Sequence, residues 1–220
     1  RRQRQMCIRD SALINREVVP AIGCTEPIAV ALCVAKAAET LNQRPQKIQV
    51  LLSANILKNA MGVGIPGTDM IGLPIAVALG ALIGKSEYQL EVLKDSTPEA
   101  VEAGKKMIEA QAIQISLKEN IEEKLYIEVT CMAGEEKATA IISGGHTNFV
   151  YLSKNDSVLM DKRSGTSGET EEESVELNLK KVYDFATTSP IEELQFILEA
   201  RRLNKQAAER SFKGNYGHEL

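Results

Sequence analysis

Residues 20–27 read PAIGCTEP, which sets a thiol (Cys24), a hydroxyl (Thr25) and a carboxylate (Glu26) side by side between two prolines. An apolar run follows at residues 27–41 (PIAVALCVAKAAETL), in which only Lys36, Glu39 and Thr40 are polar. Such a run predicts a helix buried on most of its faces, with Thr25 as its cap and Pro27 in its first turn. That start needs only the threonine, so the cysteine is left over. At the N-terminal edge of a helix, free backbone N–H groups and the helix dipole favour a thiolate, a base or nucleophile near neutral pH. Glu26 opposes that charge, yet a carboxylate there is also suited to hold a substrate amine. Gly23 gives the backbone freedom to present the thiol.

Three further stretches carry polar groups in suggestive places. Residues 53–59 (SANILKN) follow a predicted strand and offer Asn55, Lys58 and Asn59, either as a polar connection or as a loop that binds a carboxylate. His146 lies in SGGHTN between two predicted strands, as a turn residue or as a carboxylate contact beside exposed N–H groups. Residues 62–67 (GVGIPG) match GxGxxG, but no strand directly precedes them and Pro66 sits where a helix should open. A dinucleotide site needs both, so the run reads as a glycine-rich loop that allows close backbone approach. Neither HExxH nor a histidine pair at ligand spacing occurs.

The 220 residues are 44% hydrophobic with a net charge of −4, enough for one large domain or two small ones with a real core. With no Trp, four Phe and five Tyr, aliphatic side chains must fill that core, which suits closely packed helices. No basic stripe with interleaved aromatics points to nucleic acid. The longest uncharged apolar stretch, residues 71–83, is too short to span a bilayer of about 20 residues' thickness. No secretory signal follows the basic start, and the four cysteines form no CxxC pair, so they read as free thiols of a cytoplasmic protein. Cys33 and Cys131 fall on apolar faces and read as core residues.

The elements that must position these groups predict an α+β fold. Helices are expected at residues 12–19, 27–41, 74–83 (with Gly84 just past its end), 97–111, 177–187 and 189–212. Strands are expected at residues 47–53, 113–117, 125–131, 137–143 and 148–152, the later ones as an antiparallel meander. Residues 55–61 are ambiguous. Residues 1–11 lack a hydrophobic period and read as a non-native, adapter-like leader, which removes Cys7 from the argument. Residues 12–155 then form the α+β domain, residues 156–173 a charged loop or linker, and residues 174–220 a helical segment leading into a second half that this chain lacks.

Together, PAIGCTEPIAVAL (residues 20–32), SANILKNAMGVGIPGTDMIGLPIAVALGALIG (53–84), LEVLKD (90–95) and ISGGHTN (142–148) resemble the L-cysteine desulfidase family, whose members look like the alpha chain of iron–sulfur L-serine dehydratases. The resemblance spans about residues 17–217, and SFKGNYG (211–217) resembles the passage into that family's second half. It implies a lyase with a [4Fe–4S] cluster that eliminates sulfide from L-cysteine and yields pyruvate and ammonia. Cys24 falls on the family's proposed base. Asn55, Lys58, Asn59 and His146 are carried over as substrate-side residues beside Glu26, and the cluster ligands are expected in the second half. L-Serine as substrate and a non-catalytic module for a small anion stay open as alternatives. A small amino acid is the expected partner, without nucleic acid or membrane; a homo-oligomer is compatible with the sequence.

Overall fold

The computed structural model describes residues 13–15, 18–163 and 178–214. The chain divides into two compact units, Ala21–Thr166 and Arg1–Pro20 with Ser167–Leu220. The leader (1–11), Cys7, His218 and the stretch 164–173 of the expected linker lie outside the described residues.

Ala21–Thr166 is the α+β unit. Its sheet runs β4-β1-β5-β6-β7-β8, built from β1 (Lys47–Leu52), β4 (Ile113–Leu117), β5 (Tyr126–Ala133), β6 (Glu136–Ser143), β7 (Phe149–Lys154) and β8 (Ser157–Asp161). β5, β6 and β7 form the expected antiparallel meander, and β8 extends it by one further antiparallel strand. β1 pairs antiparallel with β5, Leu52 opposite Ile127, but parallel with β4, so the sheet is mixed at that side. β8 departs from the expectation of a linker starting at residue 156. The charged tail after Asp161 lowers the average hydrophobicity of a run whose first residues, SVLMD, pair as a strand.

The helix α1 (Thr25–Leu41) lies across β5 and β6. Ile127, Val129 and Cys131 of β5 and Ala138, Ala140 and Ile142 of β6 are buried at alternating positions, as a half-covered antiparallel pair requires. Cys33 points into this layer, its thiol donating to the Ala140 carbonyl at 3.3 Å. The opposite side of α1 meets α3 (Leu73–Leu82), and there the backbones nearly touch. A Cβ on Gly80 would stand 2.6 Å from the Ala31 carbonyl oxygen, and one on Gly84 would stand 2.8 Å from the Ala35 Cβ. Ala31 and Ala35 are one turn apart, as are Gly80 and Gly84, so the two helices run parallel and in step. α4 (Pro98–Glu109) packs next, its Gly104 lying against Ile75 and Ala78 of α3. Thr97 caps α4 as its sequence predicts, accepting from the Ala100 N–H at 3.3 Å.

Three connections complete the unit. The stretch 55–61, ambiguous in sequence, falls almost entirely within the short helix α2 (Ala54–Ala60). The glycine-rich loop holds a two-stranded ribbon, β2 (Gly64–Ile65) and β3 (Met70–Ile71), and then turns into α3 through Gly72 at φ 92. After α3, a 3-10 segment Ser86–Glu91 is fastened to α1 by Glu39, whose carboxylate accepts from the Ser86 N–H at 2.7 Å and hydroxyl at 2.5 Å.

In the other unit, residues 13–15 are helical, and α5 (Leu179–Thr188) and α6 (Gln195–Lys213) carry no fully buried residue. Asn178 caps α5, accepting from Lys181 N–H at 3.0 Å. Ser189, where the last helix is expected to start, instead closes α5, and a 3-10 turn Ile191–Leu194 precedes α6. No described helix is long and apolar enough to cross a membrane.

The α1–α3 contact yields a prediction of unusual sign. Gly→Ala inside a helix normally gains about 1 kcal/mol. At Gly80 the added methyl meets the backbone of Ala31, so Gly80→Ala is expected to lose about 1–3 kcal/mol in a urea unfolding titration. Gly62→Ala, with nothing within 4 Å of the new methyl, serves as the control and should change stability little.

Candidate functional site

Two alignments bring the sequence motifs to one end of the sheet. Along β6, Gln43 just past α1 bonds Glu136 at 2.6 Å, while mid-helix Cys33 meets Ala140. The N-terminus of α1 therefore points toward the Ser143 end of β6, where the turn bearing His146 begins. Antiparallel pairing puts the end of β1, and so the start of α2, at that same end. The in-step packing of α1 and α3 adds the glycine-rich loop, because the start of α3 lies level with Cys24. Gly23 makes that contact directly: a Cβ there would stand 2.9 Å from the Pro66 ring.

Cys24 is the N-cap residue of α1, with extended backbone (φ −60, ψ 131), and no side chain caps the helix. The expectation that Thr25 is the cap is thus corrected. Thr25 is already helical, and its hydroxyl donates instead to Glu26 Oε2 at 3.3 Å. The exposed Cys24 thiol donates to the same oxygen at 3.0 Å, and Asn59 Nδ2 of α2 donates to Oε1 at 3.3 Å. Glu26 is therefore the hub: three donors from two elements converge on one half-buried carboxylate.

The electrostatics follow from this arrangement. The Cys24 thiol is pushed above its ordinary range, first by desolvation of the sulfur, then by its hydrogen bond to Glu26 and the charge of that carboxylate. Backbone N–H groups of Glu26 and Thr25 pull it down, as a helix start should, but they do not prevail. The thiolate that the helix terminus alone predicts is thus not the resting form. Glu26 moves the other way, held below the usual carboxylate range chiefly by the thiol's hydrogen bond, with Asn59 and Thr25 adding to it.

The remaining sequence-derived residues divide. Asn59 joins the cluster. Asn55 and Lys58 are exposed on α2, and Asn55 lines an open hollow of about 520 Å³ with Ser53, Lys118 and Lys124, to which neither Cys24 nor Glu26 contributes. His146 sits half-buried at the same sheet end, in a turn where Gly144 (φ 75) donates to the Leu125 carbonyl at 3.1 Å. Among the described residues no hydrogen bond joins His146 to Cys24 or Glu26. Two positioning residues escape sequence reasoning. Pro66 abuts Gly23, and Ser53 locks the start of α2 by donating to the Lys124 carbonyl at 2.8 Å. Both act across the chain, where the order of residues carries no signal of the contact.

The residues described do not fit an iron–sulfur cluster. No group of three or more His, Cys, Asp or Glu among them is placed to hold a metal. Cys33 and Cys131 are buried in the core, where burial raises both thiols, Cys131 to about 12. Neither is available as a thiolate ligand.

Contact between Gly23 and Pro66 generates a compensation test. Gly23→Ala should destabilise the protein by roughly 1–3 kcal/mol, because the methyl and the proline ring cannot share the space. In Pro66→Gly the same substitution should cost far less, a coupling of at least about 0.5 kcal/mol in a double-mutant cycle read by urea unfolding. Additive losses would show that the two residues are not in conflict.

No family model matches the chain, and no solved structure matches it. It is similar to a UPF0597 protein of Phocaeicola vulgatus, 73% identical over 209 residues, which cover 95% of this chain and 48% of that protein. A UPF0597 protein of Bacteroides fragilis is 74% identical over 209 residues (95% and 49%), and one of Photobacterium profundum is 40% identical over 211 residues (94% and 49%). The chain thus spans about half the length of the curated relatives it matches, and its likeness to these UPF0597 proteins runs through nearly all of its own length.

Proposed function

We propose that the chain supplies the proton-handling part of a cytoplasmic lyase that eliminates sulfide from L-cysteine. The observation that carries this reading is the Cys24–Glu26–Asn59 cluster, an exposed thiol bonded to a carboxylate that is itself gripped from a second element. Its position at the N-terminus of α1, walled by the glycine-rich loop, is where the sequence resemblance puts the base.

In this reading the Cys24 sulfur, as thiolate, takes the α-proton of the bound amino acid. The electron pair left on Cα forms the Cα–Cβ double bond and expels the β-sulfur as sulfide. The aminoacrylate so formed tautomerises to an imine, and water hydrolyses it to pyruvate and ammonia. Glu26 receives the substrate's ammonium group, which a carboxylate with ordered oxygens can do by charge-assisted hydrogen bonds. Asn59 keeps that carboxylate turned toward Cys24. Asn55, Lys58 and His146 lie on the elements around this end of the sheet, within which the substrate carboxylate would be bound.

The [4Fe–4S] cluster implied by the resemblance would help the sulfur to leave when bound. Its ligands would be residues other than those described, and no step above is routed through it. The small-anion module is the weaker reading, because the carboxylate at the centre of the cluster repels an anion. L-Serine remains the rival substrate, since an α-proton base serves either leaving group.

The test uses the full-length protein that carries this segment, reconstituted anaerobically with iron and sulfide. L-Cysteine should yield sulfide and pyruvate in equal amounts, and L-serine much less pyruvate. Cys24→Ser is expected to lower kcat/KM by about 10²–10⁴, the usual weight of a general base. Full turnover in that variant would remove Cys24 from the mechanism.

A further inference from the structure

The cluster contains a conflict that the proposed reaction must resolve. A base needs the Cys24 proton gone, yet the nearest charge is a carboxylate that holds that proton in a 3.0 Å hydrogen bond. Glu26 is the charged side chain that bonds the thiol, at 3.0 Å. α2 contributes the neutral Asn59 to the carboxylate, while Lys58 beside it is exposed and forms no ion pair among the described residues. The glycine-rich loop contributes the Pro66 ring against Gly23, and the 3-10 segment contributes the Leu90 carbonyl, which accepts from Ile22 N–H at 3.4 Å. No lysine or arginine among the described residues neutralises Glu26. Among the described residues the carboxylate is left one cation short.

We infer that Glu26 is a positioning residue that keeps Cys24 protonated until the ammonium group of a substrate takes the carboxylate over. This rests on the lyase reading for the identity of the cation, but not for the coupling itself. In the resting state both Glu26 oxygens are occupied, Oε2 by the thiol and the Thr25 hydroxyl, Oε1 by Asn59. An arriving ammonium offers three charged N–H donors, stronger partners than a neutral S–H. It neutralises the carboxylate and displaces the thiol from Oε2. The S–H bond then breaks heterolytically, the proton passes to solvent water and the electron pair stays on sulfur. The backbone N–H groups at the start of α1, outweighed at rest, now stabilise that thiolate. The α-proton taken from the substrate restores the thiol, so proton and charge return to their starting places when the products leave. An exposed thiolate is thereby avoided between turnovers, which protects a residue that oxidants and electrophiles would otherwise reach.

The experiment reads the pH dependence of iodoacetamide alkylation at Cys24, resolved from the other cysteines by peptide mass spectrometry. In this chain, Glu26→Gln should lower the alkylation midpoint and speed the reaction several-fold at pH 8, whereas Glu26→Asp, which keeps the charge, should stay nearer the parent. Circular dichroism establishes that each variant is folded. An unmoved midpoint in folded Glu26→Gln overturns the inference, whether or not the protein is a lyase. The second arm uses the full-length protein with L-alanine, which has the ammonium group and no leaving group. Saturating L-alanine should lower the midpoint in the parent and leave it unmoved in Glu26→Gln. The midpoint is read because shielding by the ligand alters the rate but not the ionisation. A parent midpoint that stays fixed or rises with bound L-alanine overturns the release step. A midpoint that moves as expected in a protein without sulfide-releasing activity upholds the coupling and overturns the lyase reading alone.

Discussion

Everything at this end of the molecule depends on how closely α1 and α3 approach. α1 is covered by the sheet on one side and by α3 on the other, and its residues 27–35 are all buried, so that stretch has no free side on which to absorb an error. The Ala31–Gly80 and Ala35–Gly84 pairs remove side chains where the helices meet, and the helices settle backbone against backbone. Because two such pairs repeat at one-turn spacing, they fix axial register as well as distance. A one-turn slip would bring Cβ atoms into carbonyl oxygens, at a cost that close-packed interiors do not absorb easily. The register decides that α3 begins level with Cys24. From there, the loop that leads into α3 has to pass the start of α1, and Pro66 comes to rest on Gly23.

A second glycine thus repeats the logic of the first. Gly80 lets two helices touch, and Gly23 lets a loop touch the segment that presents the thiol. The result is an exposed cysteine whose preceding residue packs directly against the loop. Its surroundings also show why a helix N-terminus is a poor guide to a thiol's charge when taken alone. The dipole and the free N–H groups act over the first turn, but Glu26 occupies that same turn and sits 3.0 Å from the sulfur. Desolvation of the sulfur, its hydrogen bond to Glu26 and the charge of that carboxylate together outweigh the backbone N–H groups of the helix end, and the thiol keeps its proton.

Much of the fold was legible in the sequence where the governing physics is local. The apolar run of residues 27–41 declared a buried helix, Thr97-Pro98 declared a capped one, and alternation found β5, β6 and β7. The α+β class follows from these elements. What stayed hidden was set by pairing across the chain. β4 reads as an ordinary alternating strand, and nothing within it reveals that its partner β1 lies parallel. β8 was masked by the charged residues that follow it, since its exposed edge position needs little hydrophobicity. Thr25 looked like the cap because threonine is a strong capping residue; the helix begins one residue earlier, and its hydroxyl turns to Glu26. In the site, Cys24 and Glu26 could be singled out from adjacency. Asn59 was one of three polar residues on a short segment, and only the fold distinguishes it from Asn55 and Lys58.

That distinction bears on how the site works. Asn55 and Asn59 lie on the same face of α2, one turn apart, yet one lines an open hollow while the other reaches Glu26. An amide is well chosen for the second task. A lysine at position 59 would neutralise the carboxylate permanently and release the thiol in the absence of substrate. An apolar residue would leave Oε1 without its protein partner and let the carboxylate swing. Asn59 orders Glu26 without cancelling its charge, so the charge remains available to an incoming cation. Among the described residues no cation pairs with Glu26, so in the proposed arrangement the hydrogen bond from α2 is a neutral clamp that preserves a charged receiver beside a protonated thiol.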